Sequence, residues 1–111
     1  MSDKKWQFRI THILDAVGRI RQYTDGLSRE EFSADQKTID AVTRNFEIIG
    51  EAARNVPVEV QRLHPDIPWS LMIGMRNLLA HDYEIVDADT LWQTIQDDLP
   101  AIIPPLQRLS E

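Results

Sequence analysis

The residues with the most evident chemistry in this 111-residue chain are Arg76, His81 and Tyr83. Arginine offers a planar, permanently charged fork that fits phosphate oxygens. Histidine exchanges a proton near neutral pH. Together they suit cleavage of an RNA phosphodiester. A base takes the proton of the 2′-hydroxyl, which attacks the adjacent phosphorus. An acid protonates the leaving 5′-oxygen, and the arginine stabilises charge on the phosphoryl oxygens. That route requires no metal. Arg76 and His81 are five residues apart, about 140° of ideal helix rotation, so they do not stack like an i,i+4 pair. A helix that unwinds at Ala80 to Asp82 would let both side chains turn into one pocket. The residue types leave a second reading open. A histidine near a helix C-terminus often only meets the last carbonyls, and the arginine and tyrosine would then be ordinary surface residues.

The other candidates are weaker. His12 lies beside an apolar helical stripe, where a hydrogen-bonded structural role is expected. His64 sits in a proline-bounded loop and is expected to be exposed. Asp97 and Asp98 are adjacent, so on a helix their carboxylates point in different directions. Asp35, Asp40 and Glu51 form no recognisable metal motif, no glycine-rich phosphate loop is present, and Met72 with Met75 reads as core. No metal and no cofactor is expected.

Those residues must be positioned by helices. Trp6, Ile10, Ile13, Val17 and Ile20 recur at steps of four and three, which makes one apolar stripe. Asp25-Gly26 reads as its stop. Ser28-Arg29-Glu30-Glu31 and Ser33-Ala34-Asp35-Gln36 both have the form of a capping box. The first predicts a short helical turn and the second a long helix with the stripe Ile39, Val42, Phe46, Ile49, Ala53 and Val56. Pro57 interrupts it and suits the first position of a short helix over 57–63. After the connector His64 to Pro68, another helix runs through Met72, Met75 and Leu79 and ends near His81 to Tyr83. A last helix starts at Asp87 to Asp89, with Trp92, Ile95, Leu99, Ile102 and Leu106 inward. Pro100 should kink it, and Pro104-Pro105 should distort or end it. The sum is an all-α, antiparallel four- to five-helix bundle in a single domain over 1–111. Gly18, Gly50 and Gly74 fall inside helices at a cost of about 1 kcal/mol each, for which close helix approach, within the bundle or at a dimer seam, is the expected compensation.

Composition narrows the function. Eighteen Asp and Glu outnumber twelve Lys and Arg, for a net charge of -6. That argues against broad, non-specific nucleic-acid binding and asks any RNA-cleaving site to be locally positive, within one chain or between subunits. Arg44, Arg54 and Arg62 read as solvated helix faces. No cysteine is present, which excludes a thiolate nucleophile and a cysteine zinc site and fits a reducing cytosol. The N-terminal lysines are not followed by an apolar core, so no secretory signal is expected, and no apolar run approaches the ~18 residues of a membrane span.

The segment Arg76-Asn77-Leu78-Leu79-Ala80-His81-Asp82-Tyr83 resembles the Arg-x4-His-x-Tyr motif of HepT-like proteins of the HEPN class. Phe46-Glu47-Ile48-Ile49-Gly50-Glu51-Ala52-Ala53 is similar to the family's Gly-Glu-Ala helix. Ile67-Pro68-Trp69 with Ile73-Gly74-Met75-Arg76-Asn77 resembles its next helix, and Trp92 with Asp98-Leu99-Pro100 its last, so the resemblance runs along nearly the whole chain in order.

The resemblance implies a helical bundle of HEPN type that forms a homodimer, with higher oligomers left open, and a metal-independent, cytoplasmic endoribonuclease. It implies a toxin of a type VII-like toxin–antitoxin module whose antitoxin resembles a minimal nucleotidyltransferase. Arg76 would hold phosphate, His81 would act as acid or base, and Asn77 would assist orientation. Tyr83 would contact substrate and accept AMP from the antitoxin, adding bulk and negative charge that repel RNA. A non-catalytic helical subunit that docks a nucleotidyltransferase is the alternative, motivated by the charge of -6.

Overall fold

A computed structural model describes residues 5–80 and 87–110, with the backbone alone for 77–80. Among the described residues every regular element is helical: α1 (Gln7–Thr24), α2 (Arg29–Ser33), α3 (Gln36–Arg54), α4 (Val58–Leu63), α5 (Trp69–Ala80), α6 (Ala88–Asp97) and α7 (Leu99–Ser110). The expected bundle is thus built from α1, α3, α5 and the α6–α7 pair, with α2 and α4 as short connectors.

The apolar stripes do what their spacing predicts. Ile10, Ile13, Val17 and Ile20 of α1 and Ile39, Val42, Phe46, Ile49 and Ala53 of α3 are buried together with Met72 and Met75 of α5. At ~25 cal/mol per Å² of apolar surface removed from water, this shared core is the main stabilising term. α3 packs along both α1 and α5, while α7 packs on α1 and α2 on α6. Inside the α1–α3 seam, Arg19 Nε donates to Asn45 Oδ1 at 2.8 Å, and Asn45 Nδ2 donates to the Ala41 carbonyl at 2.8 Å. A buried amide satisfied in this way fixes how the two helices face each other.

The helix ends show where local chemistry overrides the simplest sequence reading. Gly26 takes φ +78°, the left-handed conformation expected after α1. The Ser28 capping box forms as predicted, with both reciprocal bonds to Glu31. The second one does not. Ser33 closes α2, and Asp35 caps α3 by accepting from the Thr38 amide at 3.1 Å and the Thr38 hydroxyl at 2.7 Å. An aspartate one residue before the helix reaches the third amide directly, and a serine still held in the preceding helix cannot. Pro57 is likewise the cap of α4 and not its first residue, because its ψ of 143° is extended.

The last helix differs from expectation in two places. It breaks at Asp98, two residues before Pro100, so that Pro100 falls in the first turn of α7, where no amide donor is needed. Pro104 and Pro105 remain inside α7, which continues to Ser110. The carbonyls they leave unpaired belong to Pro100 and Ala101, both exposed, so water can take the place of the lost donors. No helix among the described residues is long and apolar enough to cross a membrane.

A candidate phosphate-binding cleft

Arg76 is positioned by backbone, not by its own packing. α3 and α5 cross at Gly50. A Cβ added there would stand 2.6 Å from the Cβ of Arg76 and 2.9 Å from its amide nitrogen. Only glycine permits that approach, so the expectation of close helix contact holds at Gly50. Within the chain no such approach is seen at Gly18 and Gly74, where an added Cβ would meet nothing among the described residues within 4 Å. The backbone of Arg76 is therefore seated against α3, and its side chain leaves the crossing toward solvent.

The guanidinium meets Glu51 on the next residue of α3, Nε to Oε2 at 3.4 Å, with both side chains about half exposed. An ion pair in that setting contributes little stability. It does orient the guanidinium along the mouth of a cleft of about 390 Å³ lined by Arg9, His12, Arg44, Glu47, Glu51 and Arg76. Three arginines and a histidine thus open onto one concavity against two glutamates. In a chain with more acidic than basic residues, this is the local excess of positive charge that a phosphate site demands.

Sequence reasoning missed most of this wall. His12, expected in a structural hydrogen bond, is exposed and packs edge-on against Phe8, ring centroids 5.3 Å apart. Arg44, read as an ordinary solvated residue, lines the cleft. The available signal was helical spacing. Arg9 and His12 are three apart on α1, and Arg44, Glu47 and Glu51 follow at three and four on α3, which puts each set on one face. The pairing of those faces is a tertiary fact.

The remaining candidates fall as follows. Asn77 lies in α5, and nothing further describes its side chain. His81 and Tyr83 lie outside the described residues. His64 is half-buried, not exposed, because its carbonyl accepts from the Trp69 indole at 3.0 Å and the loop folds over that bond. Asp97 accepts from Gln93 along α6. Met72 and Met75 are core, as expected. Among the described residues no group of three or more His, Asp or Glu converges as a metal site.

Comparison with known proteins bears on the same elements. The model of the ribonuclease HepT-like family matches residues 13–109. A "Probable ribonuclease HepT" of Thermococcus cleftensis is 42% identical over 97 residues, covering 87% of this chain and 88% of that protein. A "Putative RNase" of Caldanaerobacter subterraneus subsp. tengcongensis is 36% identical over 93 residues, 84% of this chain and 83% of that one. A "Gamma-glutamylcyclotransferase and putative RNase" of Methanocaldococcus jannaschii is 32% identical over 102 residues, and the match spans 92% of this chain but only 46% of that longer protein. No solved structure matches the chain with significance.

Proposed function

Because the chain belongs to the HepT-like ribonuclease family, we propose that it is a metal-independent endoribonuclease that cuts RNA at a cleft built around Arg76 and His81. The observation that carries this reading is the setting of Arg76, held by the Gly50 contact at the mouth of an arginine-lined cleft in an otherwise acidic chain.

In this mechanism Arg76 binds the scissile phosphate and stabilises charge on its oxygens in the transition state. RNA takes over the guanidinium from Glu51, a small cost for a half-exposed pair. His81 moves the proton to or from the reacting oxygen, and Asn77 helps orient the phosphate. Each chain supplies one motif histidine, whereas the reaction uses a base and an acid. A homodimer with both motifs facing one cleft supplies two. The protein acts in the cytoplasm as the toxin of a type VII-like module. A minimal nucleotidyltransferase antitoxin neutralises it by moving AMP onto Tyr83, where the added charge opposes RNA phosphate.

The decisive measurement is cleavage of a labelled RNA in the presence of a chelator. The wild-type chain should cut, and Arg76→Ala and His81→Ala should each lose about 100-fold or more in rate while remaining folded. Equal cleavage by wild type and His81→Ala sinks the reading. Binding of a nucleotidyltransferase without any cleavage, even after removal of a Tyr83 adduct, would favour the non-catalytic docking subunit. The glutamates Glu47 and Glu51 on the cleft wall are the feature that speaks for that alternative.

A further inference from the structure

Phe8 is 45% exposed on α1. It is not isolated. The Arg9 guanidinium lies 4.5 Å from its ring centroid, and the His12 ring packs edge-on against it. Arg9 and His12 in turn line the same cleft as Arg44 and Arg76. The first half of α1 therefore presents a block of aromatic, guanidinium and imidazole groups beside the arginines of α3 and α5.

We propose that this block and Arg44 form a binding subsite for single-stranded RNA, separate from the cleavage motif. Arg9 and Arg44 take the phosphate of a flanking nucleotide, and Phe8, with the guanidinium stacked on it, takes the base. Unstacked bases are held in this way by aromatic rings and guanidinium planes, with backbone charge met by arginine. A paired helix would bury its bases from Phe8, so the subsite selects single strands. Among the described residues neither Arg9 nor Arg44 is ion-paired with Glu47, Glu51 or any other carboxylate, which leaves both as cleft cations placed to meet a second phosphate. The subsite rests on the ribonuclease reading for the identity of its ligand as RNA, and not for its geometry.

The test uses the full chain carrying His81→Ala, so that substrate persists, and a fluorescent ten-nucleotide single-stranded RNA titrated by anisotropy at several salt concentrations. Adding Arg9→Ala and Arg44→Ala together should weaken binding at least tenfold. It should also flatten the slope of log affinity against log salt by about 0.7, the contribution of the one single-strand phosphate that the two arginines no longer neutralise. Phe8→Ala should weaken binding about tenfold with the slope unchanged, because stacking carries no counterion term. Arg62→Ala on α4, away from the cleft, should change neither. All variants should keep the parent's thermal midpoint. Unchanged affinity and slope in the double variant overturn the subsite, as does equal displacement of the RNA by an acidic peptide of the same charge. RNA that binds with these dependences but is never cut by the wild-type chain would uphold the subsite and refute the ribonuclease reading.

Discussion

The block formed by α1, α3 and α5 and the group formed by α2, α6 and α7 are held together by different means. In the first, backbones touch at Gly50 and Arg76, and a buried Asn45 is satisfied from the neighbouring helix. In the second, the chain breaks at Asp98, and packing runs through side chains: Phe32 is fully buried, its ring 5.4 Å from that of Trp92, together with Leu91, Leu99, Ile102 and Leu106. The pair joining α2 to α6, Arg29 with Asp89 at 3.3 Å, is more than half exposed on both sides and adds little. The difference has a functional logic. In the role proposed for it, Arg76 must be placed to a fraction of an ångström, and glycine-mediated backbone contact provides that placement. A group that only closes the core can rely on apolar volume and tolerate a broken helix.

The largest expected effect breaks the second group. Phe32→Ala removes a fully buried ring and should cost about 3–5 kcal/mol, a large share of the ~5–15 kcal/mol that holds a domain folded. Urea unfolding followed by circular dichroism measures it. A loss under about 1 kcal/mol would mean that the group does not depend on this ring.

The next effect sharpens the first block, and its sign is the check. Gly50→Ala forces α3 from α5 because the new Cβ meets backbone atoms, not the end of a flexible side chain. Such overpacking costs about 1–3 kcal/mol, and here it outweighs what alanine regains in helix propensity. Gly74→Ala on the same helix as Arg76 meets nothing among the described residues and should stabilise by up to about 1 kcal/mol. Opposite shifts in the unfolding midpoint support the close approach at Gly50. Shifts of the same sign would remove the account of how Arg76 is held.

Much of the fold was legible because its signals are local. The stripe Ile39, Val42, Phe46, Ile49 and Ala53 is a matter of spacing alone, and it is buried as read. Ser28 with Glu31 is a four-residue motif, and it forms. The errors arise where two local signals compete. Ser33 and Asp35 both look like caps, and the winner depends on where α2 stops. The prolines of α7 look like terminators, yet water can satisfy the carbonyls they leave. The site was legible only in part. Arg76 stands out by type, but Arg9, His12 and Arg44 come from two other helices, and nothing in their own segments says that those faces meet. Gly50 was the available hint, since a glycine inside a helix predicts a close neighbour without naming it.

The smallest effect compares the two groups through their caps. The Asp35 carboxyl at the start of α3 is held below its ordinary value, first by the Thr38 hydroxyl and then by the Thr38 amide. Asp87 at the start of α6 is lowered in the same way by the hydroxyl and amide of Thr90. A carboxyl whose pKa is lowered on folding contributes stability that is full above the unfolded value, here about 3.8, and is lost as pH falls through the lower folded value. Asp35→Ala and Asp87→Ala should therefore lower the thermal midpoint at neutral pH, and both gaps should narrow as pH falls below about 3.8. Asp→Asn at either position keeps an oxygen acceptor and should flatten the same pH dependence without the full loss at neutral pH. α3 packs along both α1 and α5, whereas the main packing of α6 is on α7 and α2, so Asp35→Ala should shift the midpoint more than Asp87→Ala. A larger shift at Asp87 would show that the group closing the core, and not the block carrying Arg76, limits the stability of the whole.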